Sequence, residues 1–403
     1  MKPQFLRGIR FADLTWAGAG PFSTKIFSDF GAEVIKVESA TRVDPVRLGG
    51  PFRDGIPGIN RSGYFASRNT GKQSVALNLK SGEGVEVVRD IIRTADVVSN
   101  NFGPGAMDRL GLGYDAVQAI RPDVIYLSMP MYGENGPLST LLGVGMTIGA
   151  VTGMMSLTGY QDGPPIGPGT HFPDHAANPY HAAFAVLAAL RHRRRTGRGM
   201  KIDLSQVEST INCLGDAVVE HALTGQEPAR TGNRSLHHAP HNVFACAGED
   251  RWCAITVLTD AQWSTLAGII DFRPDPALAT AAGRLARVDD VEAAVTAWSG
   301  RREAAEVMHT LQAAGIPAGM VHDSRSLMEQ DVQLRHRRYW QLLDHPELGK
   351  ATYTSPPFRM DHERIELTRP PLIGEHTDAV LSGVLGYDAA RIAALRASGV
   401  IEV

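Results

Sequence analysis

The chain has 403 residues, of which 43% are hydrophobic, and its 40 basic and 43 acidic side chains give a formal net charge of −3. This even balance, without a sustained basic stripe, argues against a protein that follows nucleic-acid phosphates. No uncharged apolar run approaches the roughly 20 residues that a membrane span requires. We therefore predict a globular protein with one large and one smaller domain and with neither nucleic-acid nor membrane partners.

The cysteines and the N-terminal residues bear on the cellular location of the protein. Cys213, Cys246 and Cys253 form an odd set without a CxxC pair, which argues against a disulfide framework and against a structural zinc site. The opening residues, MKPQFLRGIRFADL, contain no long apolar core followed by a small-residue cleavage site. We expect a cytoplasmic protein.

The N-terminal half has the alternating pattern of an α/β fold. Short apolar runs at 9–14, 33–37, 74–79, 97–99, 124–128 and 201–204 predict strands, and the stretches 22–30 and 82–93 between them have helical spacing. Parallel strands joined by helices imply a sheet covered on both faces, with ligands at the carboxyl ends of its strands.

The rest of the chain is more varied. Residues 141–168 are rich in Gly, Met and Pro, which indicates loops and a small-residue helix. Asn178 and Pro179 predict an N-cap and a first-turn proline for a helix over 180–194, and 205–223 predicts another helix. From residue 226 to about 325, one strand followed by several helices indicates a smaller α+β domain.

A glycine-rich turn follows the first predicted strand. In Gly18-Ala19-Gly20-Pro21 the backbone N–H groups could face a phosphate, but such a turn also serves as a plain tight connection. A nicotinamide enzyme with Glu38 on the ribose is the alternative, although the third glycine of that fingerprint is missing.

A second group of polar residues lies at a predicted strand end. Asn100, Asn101 and Phe102 precede a Gly-Pro-Gly turn, and Arg109 follows within the same segment. Amides, an aromatic face and a cation could hold a nucleotide by stacking and charge. A capped turn used only as scaffolding is the structural alternative.

The third candidate is Asp174, in the sequence His171-Phe172-Pro173-Asp174-His175 just before the predicted helix. A carboxylate beside a helix N-terminus is favoured in its ionised form, as a nucleophile requires. Simple capping of the helix by Asp174 is an equal alternative from local sequence.

Three histidines, His237, His238 and His241, lie close together in the smaller predicted domain. Adjacent and i+3 histidines can bind metal, but no carboxylate or cysteine has a suitable spacing, and Pro240 breaks any helix. We predict no metal site, and the role of these histidines stays open.

Taken together, these segments resemble the family III CoA-transferases, a group that includes formyl-CoA, carnitine and benzylsuccinate CoA-transferases and, as a divergent branch, alpha-methylacyl-CoA racemase. The matching segments lie in order along nearly the whole chain: FADL at 11–14, Gly20-Pro21, GAEVIKVE at 31–38, Asn69 with Lys72, Asn101-Phe102 with Pro104-Gly105 and Arg109, Gly133 with Gly136-Pro137, TGRG at 196–199, GNR at 232–234, GIPAG at 315–319 and GEHT at 374–377.

The resemblance implies that Asp174 is the catalytic aspartate, which passes through a mixed anhydride and an aspartyl-CoA thioester. It implies that four residues line the CoA nucleotide pocket: Lys72, Asn101, Phe102 and Arg109. Ala17 occupies the place of a glutamine that lies beside the acyl group in formyl-CoA enzymes. Backbone amides near Gly143 and Gly145 are the expected oxyanion donors.

Some positions depart from the family pattern. Ser39 and Gly103 replace arginines found in other members, and residues 236–241 replace the glycine-rich loop that shields intermediates in formyl-CoA transferase. The shield could be built differently here, or its histidines could contact the substrate. Residues 157–165 look more like the benzylsuccinate and carnitine type than the formyl type, which favours succinyl-CoA as donor. The donor and acceptor acids are otherwise not specified.

The resemblance also implies a doubly wound parallel sheet, with 1–225 and the returning segment 326–403 in a large CoA-binding domain and 226–325 in a small one. Two copies are expected to form an interlocked homodimer, with acyl-CoA and small carboxylic acids as substrates and no permanently bound cofactor. Two alternatives remain. A racemase would need a proton-carrying group thirty residues before Asp174, where this chain has Val144. A catalytically silent subunit of an unlike pair is disfavoured by the presence of Asp174.

Overall fold

The structure is a computed structural model and describes residues 4–403. The chain forms two compact units. The first contains residues up to 156, residues 166–228 and residues 333–403, and the second contains residues 157–165 and 229–332. The short segment 157–165 thus belongs to the second unit, apart from the sequence that surrounds it.

A six-stranded parallel sheet forms the centre of the first unit. Its strands are β1 (Arg10–Asp13), β2 (Glu33–Glu38), β3 (Gln73–Ala76), β4 (Val97–Asn100), β5 (Ile125–Ser128) and β6 (Met200–Asp203). Their order is β3-β2-β1-β4-β5-β6, and every neighbouring pair is parallel. The predicted α/β fold with a parallel sheet is confirmed. The order reverses between β1 and β4, and the crevice beyond their carboxyl ends is where such sheets bind ligands.

Helices cover both faces of this sheet. The helices of the chain up to residue 228 are α1 (Ala19–Asp29), α2 (Gly63–Arg68), α3 (Gly82–Thr94), α4 (Ala106–Arg109), α5 (Tyr114–Ile120), α6 (Gly145–Val151), α7 (Asn178–Thr196), α8 (Gln206–Ile211) and α9 (Gly215–Thr224), and four of them pack on the sheet. The apolar side chains of α3 and α5 pack on one face, and those of α1 and α7 pack on the other. The single helix predicted over 205–223 is interrupted by a 3₁₀ turn at Asn212–Leu214.

The second unit contains a small antiparallel sheet with helices beside it. Its strands are β7 (His241–Ala245), β8 (Trp252–Thr256) and β9 (Ala318–Met320), and its helices are α10 (Asp260–Ile269), α11 (Ala281–Ala286), α12 (Val288–Ser299), α13 (Ala304–Ala313) and α14 (Ser324–Glu329). The core includes Phe244, Ile255, Leu266, Val295 and Leu311, each 2% exposed or less.

The C-terminal segment, residues 333–403, returns to the first unit. Its elements are α15 (Val332–His336), β10 (Trp340–His345), β11 (Gly349–Thr354), α16 (Thr377–Gly383) and α17 (Ala389–Ala397). Val380 of α16 and Leu395 of α17 lie in the same apolar cluster as the strand residues Val75 and Val98. Helices α16 and α17 therefore pack on the same face of the six-stranded sheet as α3.

Candidate active site

Asp174 lies in a π-helical turn, Pro173–Ala177, which continues directly into α7. The predicted N-cap at Asn178 is wrong, because Asn178 has helical backbone angles and is fully buried. Its side-chain amide donates to Gln206 (3.1 Å), and its carbonyl oxygen accepts from Ser209. The wider turn therefore starts the helix earlier and places Asp174 at its first residues, 6% exposed.

Two glycines border the Asp174 carboxyl group. A Cβ built on Gly18, at the start of α1, would lie 2.7 Å from Asp174 Oδ2, and one built on Gly145, at the start of α6, would lie 2.9 Å from the same atom. Real Cβ atoms need about 3.5 Å or more. Only glycine fits at either position, so the carboxyl group lies directly against the start of two helices.

The charge state of Asp174 reflects opposing influences. Burial raises the pKa of its carboxyl group, while the charge of His171, the N–H group that Gly145 donates and the charge of Arg68 oppose that rise. Burial is the largest of these influences, so the pKa of Asp174 lies above its ordinary value. A carboxylate with a raised pKa is more basic and is a better nucleophile once deprotonated.

Arg68 and His175 form a polar pair beside Asp174. The Arg68 guanidinium donates to His175 Nε2 and stacks on the Tyr64 ring, 3.8 Å from its centroid. Burial and the charges of Arg68 and His171 lower the pKa of His175 to about 4. His175 is therefore neutral near pH 7, and its Nδ1 lies 3.2 Å from Thr170 Oγ1. Sequence analysis did not identify Arg68, because nothing near it in sequence marks it as unusual.

A cavity of about 310 Å³ opens at the carboxyl ends of β1 to β4. It is lined by Leu14, Trp16, Val37, Glu38, Ser39, Thr41, Arg42, Asn78, Leu79, Lys80, Phe102, Ala106, Arg109 and Leu110. Phe102 and Arg109 thus lie where a nucleotide pocket was predicted. The cavity combines two aromatic side chains with three cations, as recognition of a phosphorylated nucleotide requires.

Sequence analysis missed several lining residues, among them Trp16, Arg42 and Lys80. The Trp16 ring meets Phe102 edge-on, with centroids 5.6 Å apart, and the Arg42 guanidinium lies 5.5 Å from the Trp16 ring centroid. Ser39 also lines the cavity but carries no charge. Arg42, three residues later, supplies a cation to this wall of the cavity. The available signal was an aromatic residue and a cation in loops that follow predicted strands.

Two predicted pocket residues have other roles. The Lys72 side chain is fully buried, and its ammonium donates to Asp13 Oδ2 (3.0 Å), Pro21 O (2.9 Å) and Thr24 Oγ1 (2.7 Å). All three donors are satisfied, so Lys72 belongs to the core and not to the cavity wall. Asn101 also does not line the cavity.

The Asn101 amide instead fixes the turn after β1. It accepts from the N–H of Trp16 and donates to the carbonyl of Trp16, both at 2.8 Å. The next residue, Ala17, has φ of 62°, an unfavourable angle for a residue with a Cβ, and its N–H donates to Asp44 Oδ1 at 3.1 Å. Asn101 and Asp44 thus hold Trp16 and Ala17 in place between the cavity and Gly18.

Of the two glycines predicted as oxyanion donors, Gly145 contacts Asp174, whereas Gly143 packs against Met131 and Thr147. Gly145 donates its N–H to the Asp174 carboxyl group, as noted above. At Gly143 a Cβ would lie 2.7 Å from Met131 Sδ and 2.8 Å from Thr147 Oγ1, so this glycine permits close packing at the entry to α6. Val144, where a racemase would need a proton carrier, is 56% exposed and carries no ionisable group.

The histidine segment lies in the second unit. The backbone N–H groups of His237 and His238 donate to Ser235 Oγ, and His241 Nδ1 lies 3.1 Å from Thr256 Oγ1. Within residues 4–403, no group of three His, Cys, Asp or Glu side chains is arranged to hold a metal ion. Over the same residues, no helix is both long enough and apolar enough to cross a membrane.

Comparison with known proteins extends these observations to the whole chain. The family model of CoA-transferase family III matches residues 6–377. The chain is 33% identical to succinyl-CoA:glutarate CoA-transferase of Mus musculus, over 100% of this chain and 91% of that protein. It is 32% identical to formyl-CoA:oxalate CoA-transferase of Streptomyces coelicolor, over 100% of both.

Solved structures agree with the sequence comparison. A CAIB/BAIF family protein from Brucella suis superposes with a TM-score of 0.87 at 28% identity, over 95% of this chain and 100% of that one. The resemblance stated from the sequence is thereby confirmed, as is the prediction of an enzyme. The chain belongs to the family III CoA-transferases.

Proposed function

We propose that Asp174 is the nucleophile of CoA transfer in this chain. The observation that carries the proposal is the position of its carboxyl group, which is almost fully buried at a helix start and lies against Gly18 and Gly145. A carboxylate held there has lost most of its hydration and can approach a thioester carbonyl without competition from water.

The reaction then proceeds in four balanced steps. The Asp174 carboxylate attacks the thioester carbonyl of the donor, which gives a mixed anhydride and CoA thiolate. The thiolate attacks the aspartyl carbonyl, so that an aspartyl-CoA thioester forms and the donor acid leaves. The acceptor carboxylate attacks this thioester and releases thiolate again. Attack of the thiolate on the acceptor's carbonyl yields the new acyl-CoA and restores Asp174.

Gly145 supports the steps that occur at the aspartyl carbonyl. Its N–H already donates to the Asp174 carboxyl group, so it can stabilise the negative oxygen of the tetrahedral intermediate at that carbon. Among the two glycines predicted for this role, the proposal therefore assigns it to Gly145.

The cavity beyond β1 to β4 is proposed as the site of the CoA nucleotide. Trp16 and Phe102 offer faces for the adenine ring, while Arg42, Lys80 and Arg109 can neutralise phosphates. CoA is here a substrate, with no permanently bound cofactor. The relatives named above act on succinyl-CoA and glutarate and on formyl-CoA and oxalate, and we propose acyl-CoA and carboxylic acids as the substrates, with succinyl-CoA as the first donor to be tried.

Intact-mass analysis tests the nucleophile directly. Wild-type protein is incubated with a panel of acyl-CoAs, with and without hydroxylamine, which traps activated carboxyl groups. We expect a CoA adduct on the wild type and none on Asp174→Asn. The matched control is Asp115→Asn, an exposed carboxylate on α5, which should retain the adduct. An adduct that persists in Asp174→Asn would refute the assignment.

We also propose that two copies of the chain form a homodimer, interlocked as in the family. Tyr180, Phe184 and Leu187 form an apolar stripe on α7, and they are 48%, 76% and 44% exposed. Helix α9 has no buried residue at all, and its Val218 and Leu223 are 54% and 81% exposed. Exposed apolar side chains that lie together on one helix are typical of an interface.

Light scattering over a dilution series tests this assembly. We expect the dimer mass at every concentration at which the protein stays folded, because interlocked chains separate only on unfolding. A folded monomer at micromolar concentration would contradict interlocking.

We place the enzyme in the cytoplasm, since Cys213, Cys246 and Cys253 are all free thiols. Fractionation of cells that express the natural protein would test this location.

A further inference from the structure

Arg68 differs from every other deeply buried cation in residues 4–403. Six Lys or Arg residues there are at most 9% exposed, and five of them have an acidic side chain within 4.0 Å. Those pairs are Lys25–Asp29, Lys36–Asp44, Arg47–Glu38, Lys72–Asp13 and Arg284–Asp260. Arg68, at the end of α2, has no such partner among the described residues. A buried charge without a counter-charge is costly, so its retention calls for an explanation.

The contacts of Arg68 leave its guanidinium incompletely satisfied. It donates to the carbonyl of Tyr64, to Ser67 Oγ and to His175 Nε2, all of which are neutral. Its Nε is buried and has no hydrogen-bond partner. Burial lowers the pKa of Arg68, as expected for a cation that has lost water without gaining an anion.

Arg68 also lies in the electrostatic field of the nucleophile. Asp174 raises the pKa of Arg68 and Arg68 lowers that of Asp174, although the two side chains form no ion pair. Packing of Arg68 on the Tyr64 ring, or its place at a helix C-terminus, would account for a cation here. Neither accounts for a buried, unpaired Nε on a guanidinium that contacts His175, the residue that follows Asp174.

We propose that Arg68 binds the second, non-reacting carboxylate of a dicarboxylic substrate. This inference rests on Asp174 being the nucleophile. One carboxyl carbon of the substrate reacts at Asp174, and a second carboxylate on the same molecule brings a negative charge into a site that excludes water. A guanidinium offers paired N–H donors that match both oxygens of a carboxylate. Arg68 thus selects dicarboxylic acids and their mono-CoA esters over monocarboxylic ones.

Single-turnover adduct formation tests this selection with substrates of equal chain length. Succinyl-CoA and butyryl-CoA are compared as donors, and succinate and butyrate are compared in discharging the preformed aspartyl-CoA adduct. Wild type should favour the dicarboxylic member of each pair. Arg68→Met should slow the succinyl reactions about 10- to 100-fold, the range expected when a charged hydrogen bond is lost, and leave the butyryl reactions unchanged or faster.

Two further variants guard against misreading. Arg68→Lys keeps the charge without the paired donors and should lose only part of the preference, which keeps the test valid if Arg68→Met does not fold. Arg53→Met removes a 49% exposed arginine and should change neither reaction. Equal loss with both donors, or no dicarboxylate preference in the wild type, would overturn the role of Arg68 while adduct formation at Asp174 stands. Absence of any adduct on the wild type would instead overturn the proposed nucleophile.

Discussion

Replacement of Gly145 by alanine tests the geometry around Asp174 most directly. The new Cβ would lie 2.9 Å from Asp174 Oδ2 and 2.8 Å from the Cβ of His171. To reach ordinary van der Waals separation, these groups must move apart by at least about 0.5 Å. A Cβ built on Gly18 would lie 2.7 Å from the same oxygen, so any shift of the carboxyl group must also avoid Gly18.

The expected cost has two parts. Overpacking of a close-packed site costs about 1–3 kcal/mol of unfolding free energy. Displacement of a nucleophile by a fraction of an ångström to 1 Å can slow the reaction on the order of 100-fold. Urea denaturation would measure the first effect, and the single-turnover rate of CoA-adduct formation would measure the second.

Gly149 provides a matched control in the same helix. A Cβ built there meets no heavy atom within 4 Å, and its backbone is helical. Gly149→Ala should therefore stabilise the protein by about 0.5–1 kcal/mol, through helix propensity alone, and leave the adduct rate unchanged. The two substitutions are chemically identical and should have opposite effects on stability. If Gly145→Ala kept the wild-type rate and stability, the close approach of Asp174 to this helix would be wrong.

Three further predictions follow from buried charges and from the cavity. Burial raises the pKa of Asp174, so its ionised form lowers the stability of the folded protein at pH values above the ordinary pKa of a carboxyl group. Asp174→Asn should therefore raise the Tm at pH 7, and this gain in Tm should vanish below about pH 4, where the carboxyl group is protonated in both states. Lys72→Met leaves Asp13 buried without its ion-pair partner and should cost about 3–5 kcal/mol in urea denaturation. Any folded Lys72→Met protein should keep its KM for acyl-CoA, whereas loss of CoA affinity alone would return Lys72 to the nucleotide site. If Arg42 contacts the 3′-phosphate of CoA from the cavity wall, Arg42→Ala should raise the KM for acyl-CoA about 10-fold and the KM for the 3′-dephospho ester much less. Equal effects on both esters would place Arg42 away from the 3′-phosphate.

Local sequence predicted the sheet well, because apolar residues dominate short runs between polar turns, as in β4 and β5. It also located the loop of Asp174, since a carboxylate before a long alanine-rich helix is visible in the sequence. The first residue of α7 could not be predicted from local sequence. Asn178 and Pro179 form an ordinary cap sequence, but Ser209, 31 residues away, binds the Asn178 side chain inside the fold.

The nucleotide cavity shows why part of the site was missed. Its walls come from loops after four strands, and Trp16, Arg42, Lys80 and Arg109 are far apart in sequence. They meet only because β1 lies between β2 and β4, with β3 beyond β2. Lys72 shows the complementary case. Its place near a family motif suggested a ligand contact, whereas in the structure its ammonium donates to Asp13, 59 residues earlier at the end of β1.

The turn between β1 and α1 connects the two halves of the site. Its Trp16 lines the cavity proposed for the nucleotide, and Gly18, against which the Asp174 carboxyl group lies, is two residues further along the chain. Asn101 holds the backbone of Trp16 from β4, and Asp44 holds Ala17 at a positive φ that an alanine adopts only under constraint. Because these hydrogen bonds hold the backbone of Trp16 and Ala17, the distance between the cavity wall and Gly18 is fixed. One turn therefore positions both the wall of the cavity proposed for the nucleotide and the glycine that borders Asp174. If both proposals hold, a change at Asn101 should weaken acyl-CoA affinity and slow adduct formation at Asp174 together.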